Sequence, residues 1–171
     1  MLAKLIEQNG NRITVQFTVE LTGQMLKDEQ ALQQSLNEAG QAAMVPMIKQ
    51  FDTNGEAIRV NGVKHTVKSY APQDYETPYG PVQLERYTYQ TSKGGRAHVP
   101  LENDARMILN STPRYSQMVS GKYARFGADA ICEDLLECNG RKLSRNYAKK
   151  LSDFVGSVAQ CYETEWEYDL P

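Results

Sequence analysis

Residues 127–159, GADAICEDLLECNGRKLSRNYAKKLSDFVGSVA, constrain the fold more than any other part of the chain. Ala128, Ile131, Leu135 and Cys138 recur at helical spacing, so one face of a first helix can pack. Asn139-Gly140 tolerates left-handed backbone and ends that helix. Ser144 can cap a second helix, because its hydroxyl accepts a bond from an amide of the first turn. In the second helix Leu143, Tyr147, Leu151, Phe154 and Val158 form the predicted buried stripe. Arg145, Asn146, Lys149 and Lys150 fall on other faces, with Arg141 and Lys142 in the turn. A second helix offering cations and an amide is what a helix-turn-helix presents to phosphates and base edges. Arg145, Asn146 and Lys149 are the candidates for base edges. Arg141, Lys142 and Lys150 are the candidates for phosphates, and Ser144 lies between the two groups. An ordinary helical hairpin with a solvated charged face fits the same pattern.

Charge decides little by its sum and more by its distribution. The chain has 171 residues and a formal net charge of −2, which does not announce a nucleic-acid binder. The cations of the hairpin, with Lys122 and Arg125 just before it, stand apart from Glu163, Glu165, Glu167 and Asp169 near the C-terminus. No apolar run is long enough to span a membrane, and Met1–Ile6 gives way at once to Glu7-Gln8-Asn9. The expectation is a cytoplasmic protein. Cys132, Cys138 and Cys161 are odd in number and lack close-pair spacing, so reduced thiols are expected. Neither His65 nor His98 has a ligand-like neighbour at metal spacing, and no metal or cofactor is expected. No GxSxG, GK[ST] or HExxH pattern occurs, so no catalytic residue is assigned. Asp104, Asp129, Glu133 and Asp134 sit at surface spacing on predicted helices, where solvation accounts for them.

The remaining segments give an α+β chain: a small antiparallel sheet followed by a helical bundle that contains the helix-turn-helix-like hairpin. Residues 12–21 alternate Ile13, Val15, Phe17 and Val19 with polar neighbours and read as a strand. Met25, Leu26, Leu32 and Leu36 support a glutamine-rich amphipathic helix interrupted near Gly40, with a further turn around Pro46. Ile58 and Val60 lead through Asn61-Gly62, a hairpin signal, into Val63, His65 and Val67. Residues 70–78 read as a tyrosine- and proline-rich connection, followed by a strand over 82–89. Tyrosines there could stack on bases, though packing a small sheet is the stronger expectation. Helices are predicted over 101–109 and 113–126, with Thr112 as a cap before Pro113. The divisions are 1–55, 56–95, 96–160 and a terminal 161–171. In that tail Tyr162, Trp166 and Tyr168 alternate with acids like a strand, one that could also pair with residues 12–21.

Three blocks in order carry a family resemblance. They are YETPYGPVQLERYTY at 75–89, then Pro100-Leu101-Glu102 with Ala105-Arg106 and Ser111-Thr112-Pro113-Arg114, then Lys122-Tyr123-Ala124 through Asn139-Gly140-Arg141-Lys142-Leu143-Ser144. Their order and spacing resemble the N-terminal, non-catalytic region of ISKra-type bacterial insertion-sequence transposases. The resemblance covers residues 52 onward. It implies binding to the terminal inverted repeats of the element, with cutting and joining left to a following RNase H-like domain that holds two divalent ions on an acidic triad. None of the triad can be assigned in this sequence, so the expectation is a truncated or split transposase product that is not itself an enzyme. A stand-alone, domesticated DNA-binding protein is the neighbouring reading. The alternative class is an assembly module that joins a second copy or a separate catalytic subunit, resting on the glutamine-rich helices and the tyrosine strand.

Overall fold

The computed structural model describes residues 3–163, and it is α+β, with two antiparallel sheets and four helices among those residues. Strand β1 (Ala3–Asn9) pairs with β2 (Arg12–Phe17) around the Gly10-Asn11 turn. The predicted strand at 12–21 is therefore real but stops at Phe17, and its partner is the N-terminal segment, for which sequence gave no strand signal. Helix α1 (Met25–Lys49) follows. Its opening loop is tied down by Asp28, which accepts bonds from Thr22 N (2.8 Å), Thr22 Oγ1 (2.7 Å) and Gly23 N (3.1 Å). The Thr22 bonds hold the Asp28 carboxyl below the usual carboxylate range.

The predicted interruption of this helix near Gly40 does not occur; α1 runs unbroken through Gly40 and Pro46. Packing explains why. A Cβ on Gly40 would stand 2.3 Å from Tyr79 Cγ and 2.8 Å from its Cβ, so the glycine makes room for the turn of the neighbouring sheet. Proline at 46 removes one helical bond, and Ile48, 2 % exposed, anchors the following turn in the core. Beyond it Lys49 Nζ donates to Asp52 Oδ2 (2.7 Å), Tyr70 Oη (3.2 Å) and Glu85 O (2.6 Å).

The main sheet has the order β3-β4-β5-β6, all antiparallel: β3 (Ile58–Val60), β4 (Val63–Thr77), β5 (Gly80–Thr91) and β6 (Gly94–His98). Asn61 and Gly62 both take positive φ, 49° and 79°, as the two-residue hairpin turn requires. Residues 70–78 are not the predicted connection. Through Thr77 they continue β4, in register with β5 from Tyr70↔Tyr87 to Thr77↔Gly80. Pro72 is admitted because β3 pairs only with Val63–His65, so the far side of β4 carries no strand at that point. Val82 and Leu84 meet Tyr75, Ile48 and Leu101 in one buried cluster. Tyr89, out of phase with them, is also buried and hydrogen-bonds Thr53 Oγ1 at 2.5 Å.

Helix α2 (Pro100–Asp104) is shorter than the predicted 101–109. Arg106, Leu109 and Asn110 have positive φ, and the chain there is drawn to the end of β4. Glu76 N donates to Asn110 O at 2.7 Å and Thr112 N to Glu76 O at 2.9 Å. Helix α3 (Pro113–Asn139) bends at Gly127, whose φ of 78° and ψ of −179° are non-helical. The predicted helices at 113–126 and from Ala128 onward are its two limbs. Helix α4 (Arg145–Glu163) closes the bundle. Tyr115 and Val119 from the first limb, Ile131 and Leu135 from the second, and Ala148 and Leu151 from α4 share one core. Of the terminal segment expected to be strand-like, α4 includes residues 162 and 163, and 164–171 lie outside the described residues. Among the described residues no helix is long and apolar enough to cross a membrane.

The close approach at Gly40 reverses an ordinary rule. Alanine normally favours a helix over glycine by about 1 kcal/mol, whereas forcing a methyl into a filled space costs about 1–3 kcal/mol. Gly40→Ala is expected to lower the urea unfolding midpoint, a net loss of up to about 2 kcal/mol. A raised midpoint would mean that Tyr79 swings aside freely.

Candidate nucleic-acid interface

The turn between α3 and α4 forms as its residues dictate. Gly140 adopts the left-handed conformation (φ 63°, ψ 23°) and its N–H bonds Leu136 O at 3.0 Å, while Arg141 N reaches Leu135 O at 2.8 Å. Four residues later Ser144 Oγ accepts from Tyr147 N at 3.2 Å, so the serine caps α4. Tyr147 Oη then donates to Leu109 O at 3.0 Å and pins the first turn of α4 to the loop after α2. Ser144 thus uses its hydroxyl oxygen as an acceptor at the helix start, while the side chain stays exposed and its O–H can still donate.

Arg141 is the clearest correction. Its side chain is only 7 % exposed, its Nη2 is paired with the Glu76 carboxylate, and its guanidinium lies 5.3 Å from the centre of the Tyr115 ring. A guanidinium enclosed by a carboxylate and a ring cannot also serve a phosphate. Arg141 is a structural tie between the helical unit and the end of β4. A turn cation cannot be told from a buried one by sequence alone, because the partner, Glu76, lies 65 residues away. Burial pushes the Tyr115 and Tyr147 phenols above their ordinary range, with Arg141 partly offsetting the rise, so both stay neutral hydroxyls.

The other predicted contacts separate by partner. Arg145 is exposed and ion-paired with Asp129 of the second α3 limb. Lys142, Asn146, Lys149 and Lys150 are all exposed, and among the described residues their side chains make no ion pair or hydrogen bond. Asn146, Lys149 and Lys150 line a shallow groove on α4 with Asp153, Phe154 and Ser157. Phe154 and Val158, expected in the buried stripe, are 47 % and 38 % exposed. The stripe that packs is Leu143, Tyr147, Ala148, Leu151 and Val155. The difference is one of phase: α4 turns its 148–151–155 face inward, which places Phe154 beside the cations. Cys138, predicted on the packing face of the preceding helix, is likewise exposed.

Elsewhere the cationic surface is diluted. Lys122 is paired with Asp134 across the Gly127 bend. Tyrosines weighed as base-stacking platforms are mostly engaged: Tyr75 and Tyr89 are fully buried, and Tyr70 and Tyr87 stack with centroids 4.5 Å apart beside Lys49. Tyr75 Oη donates to Glu102 Oε1 at 3.0 Å, and Arg86 Nε pairs with the same carboxylate at 2.9 Å. Among the described residues no disulfide links Cys132, Cys138 or Cys161. Among the described residues no cluster of three metal-ligating side chains exists. Comparison with protein families, with curated proteins and with solved structures gives no match.

The role assigned to Arg141 can be checked on stability alone. Breaking a buried ion pair from one side costs about 3–5 kcal/mol. The Glu76 side chain is 37 % exposed, which places Arg141→Ala near the lower end. The double variant Arg141→Met with Glu76→Gln is expected to recover most of the loss in urea unfolding. Unchanged stability of Arg141→Ala would return Arg141 to the list of phosphate contacts.

Proposed function

We propose that this chain is the DNA-binding portion of a transposase, recognising the terminal inverted repeats of its element with α4 against duplex DNA. The observation that carries the reading is the exposed set Lys142, Asn146, Lys149 and Lys150, on one helix start and the turn before it, without partners among the described residues. The ordered resemblance of three sequence blocks to ISKra-type transposases supports it. A chain of net charge −2 gains affinity for a polyanion only where cations are gathered. In this reading Asn146 and Lys149 approach base edges, with an Asn amide suited to the two adjacent groups of adenine. Lys142 and Lys150 hold phosphates. Arg145 joins them by exchanging Asp129 for a phosphate, an inexpensive exchange because the pair is solvent-exposed. Phe154 offers an apolar surface to a thymine methyl.

A gel-shift series with element-end and scrambled duplexes over increasing salt tests the reading. Lys150→Ala is expected to weaken binding to both duplexes and to reduce the salt slope by about 1. Asn146→Ala is expected to erode the preference for the element end by about 1–3 kcal/mol at one base position. Absence of binding by the folded chain at low salt, or binding untouched by both changes, would reject α4 as the reading helix.

A further inference from the structure

Helix α1 carries an apolar stripe that the rest of the described chain leaves open. Met25, Leu32, Leu36, Ala39, Ala43 and Met47 follow one another at steps of seven, four, three, four and four residues, which keeps them on one side of a helix with 3.6 residues per turn. Met25 is 75 % exposed, Leu32 43 %, Leu36 44 % and Met47 44 %, and the two alanines between them are half-buried. One edge of the stripe is bordered at Ser35, which is buried and whose Oγ donates to O of Thr18, just past β2, at 3.5 Å. The other edge is bordered at Gly40, where Tyr79 of the β4–β5 turn rests, and beyond it the sheet packs through Met44 and Ile48. Neither buried core includes a residue from the first half of α1.

We infer that this stripe pairs with the same stripe of a second copy, with the two α1 helices antiparallel. Three features favour that occupant and direction. The spacing from Leu32 to Ala43 is that of a coiled-coil seam, which is complementary to itself. The antiparallel register sets Leu32 against Ala43 and Leu36 against Ala39 of the other copy, large into small in both layers and twice by symmetry. A parallel pair would set leucine on leucine and then alanine on alanine, leaving the alanine layers underfilled. Size also fits. With a Leu or Met side chain taken as on the order of 150 Å², the exposed parts of Met25, Leu32, Leu36 and Met47 come to on the order of 300 Å². A specific interface uses about 800 Å² per partner, a little over half of it apolar. Glu29, four residues after Met25 and three before Leu32, falls in the seam itself, opposite Pro46 of the other copy in an outer layer.

Light scattering on the full chain without DNA tests the pairing directly. The expected mass at tens of micromolar is twice 19.3 kDa. Leu36→Glu is expected to give the single-chain mass with an unchanged far-ultraviolet dichroism spectrum, whereas Gln34→Glu, on the opposite side of α1, keeps the dimer. Should Leu36→Glu fail to fold, Met25→Lys replaces it, since that side chain is mostly in solvent already. For direction, Cys138 and Cys161 are changed to serine, and Leu32→Cys and Ala43→Cys chains are mixed under mild oxidation. A disulfide between the two variants is the expected product. A monomer at all concentrations, a dimer indifferent to Leu36→Glu, or Leu32→Cys linking only to itself would each overturn the inference. Because DNA is absent throughout, failure here leaves the reading of α4 untouched, and failure of the gel shift leaves this one standing.

Discussion

Glu76 ties the main sheet to the helical unit. Its N–H and C=O both bond the segment before α3, to Asn110 O and Thr112 N, and its carboxylate pairs with Arg141 at the far end of the same helix. A single residue at the tip of β4 therefore fixes the entry to α3 and its exit. The start of α4 is placed by the same joint, since Arg141 stands only a few residues before the Ser144 cap, and the Tyr147 bond to Leu109 and the shared core hold the rest. The Tyr115 ring under the guanidinium completes the joint from inside the helical core. Low dielectric around a partly buried pair strengthens its attraction and equally raises the cost of losing one partner.

A second polar joint lies nearby and has the same logic. Glu102 at the start of α2 accepts from Tyr75 on β4 and pairs with Arg86 on β5. Burial pushes the Tyr75 phenol far above its ordinary range, and the Glu102 charge adds to that, so the hydroxyl remains a donor at any pH the protein meets. Glu76, Arg86, Glu102 and Arg141 all belong to the blocks on which the family resemblance rests. In this structure those residues work as fasteners between elements, and the surface assigned to DNA is carried by their neighbours.

Local signals are legible in the sequence. The Asn61-Gly62 hairpin, the break at Asn139-Gly140, the Ser144 cap and the two limbs of α3 each depend on residues within a few positions of one another. What escaped depends on partners far along the chain. Gly40 reads as a helix breaker until Tyr79 is seen resting on it. Residues 70–77 read as a connection until β5 supplies a register and β3 is found to end before Pro72. Arg141 reads as one cation among several until Glu76 is found beside it. Of the seven residues proposed for the interface, Lys142, Asn146, Lys149 and Lys150 keep open side chains, Arg145 has an exposed acidic neighbour, Ser144 caps α4 yet stays exposed, and Arg141 is occupied by the fold itself. The miss on Phe154 is of another kind, a choice of phase along an amphipathic helix whose two candidate stripes differ by one residue.

The bend at Gly127 has a consequence for the order in which the chain assembles. By reversing the helix without a loop, it brings Val119 to Ile131 and Lys122 to Asp134 over a dozen residues, and the turn at Gly140 adds α4 in the same way. The β1–β2 and β4–β5 pairings are hairpins and equally short in range. Contacts of that kind close small loops and form early. The joints that make one molecule of these pieces, Asn37 to Asn139 across 102 positions and Glu76 to Arg141 across 65, close large ones. The short-range pairings are therefore the cheaper ones to close, and the joints at Asn139 and Arg141 carry the larger loop-closure cost.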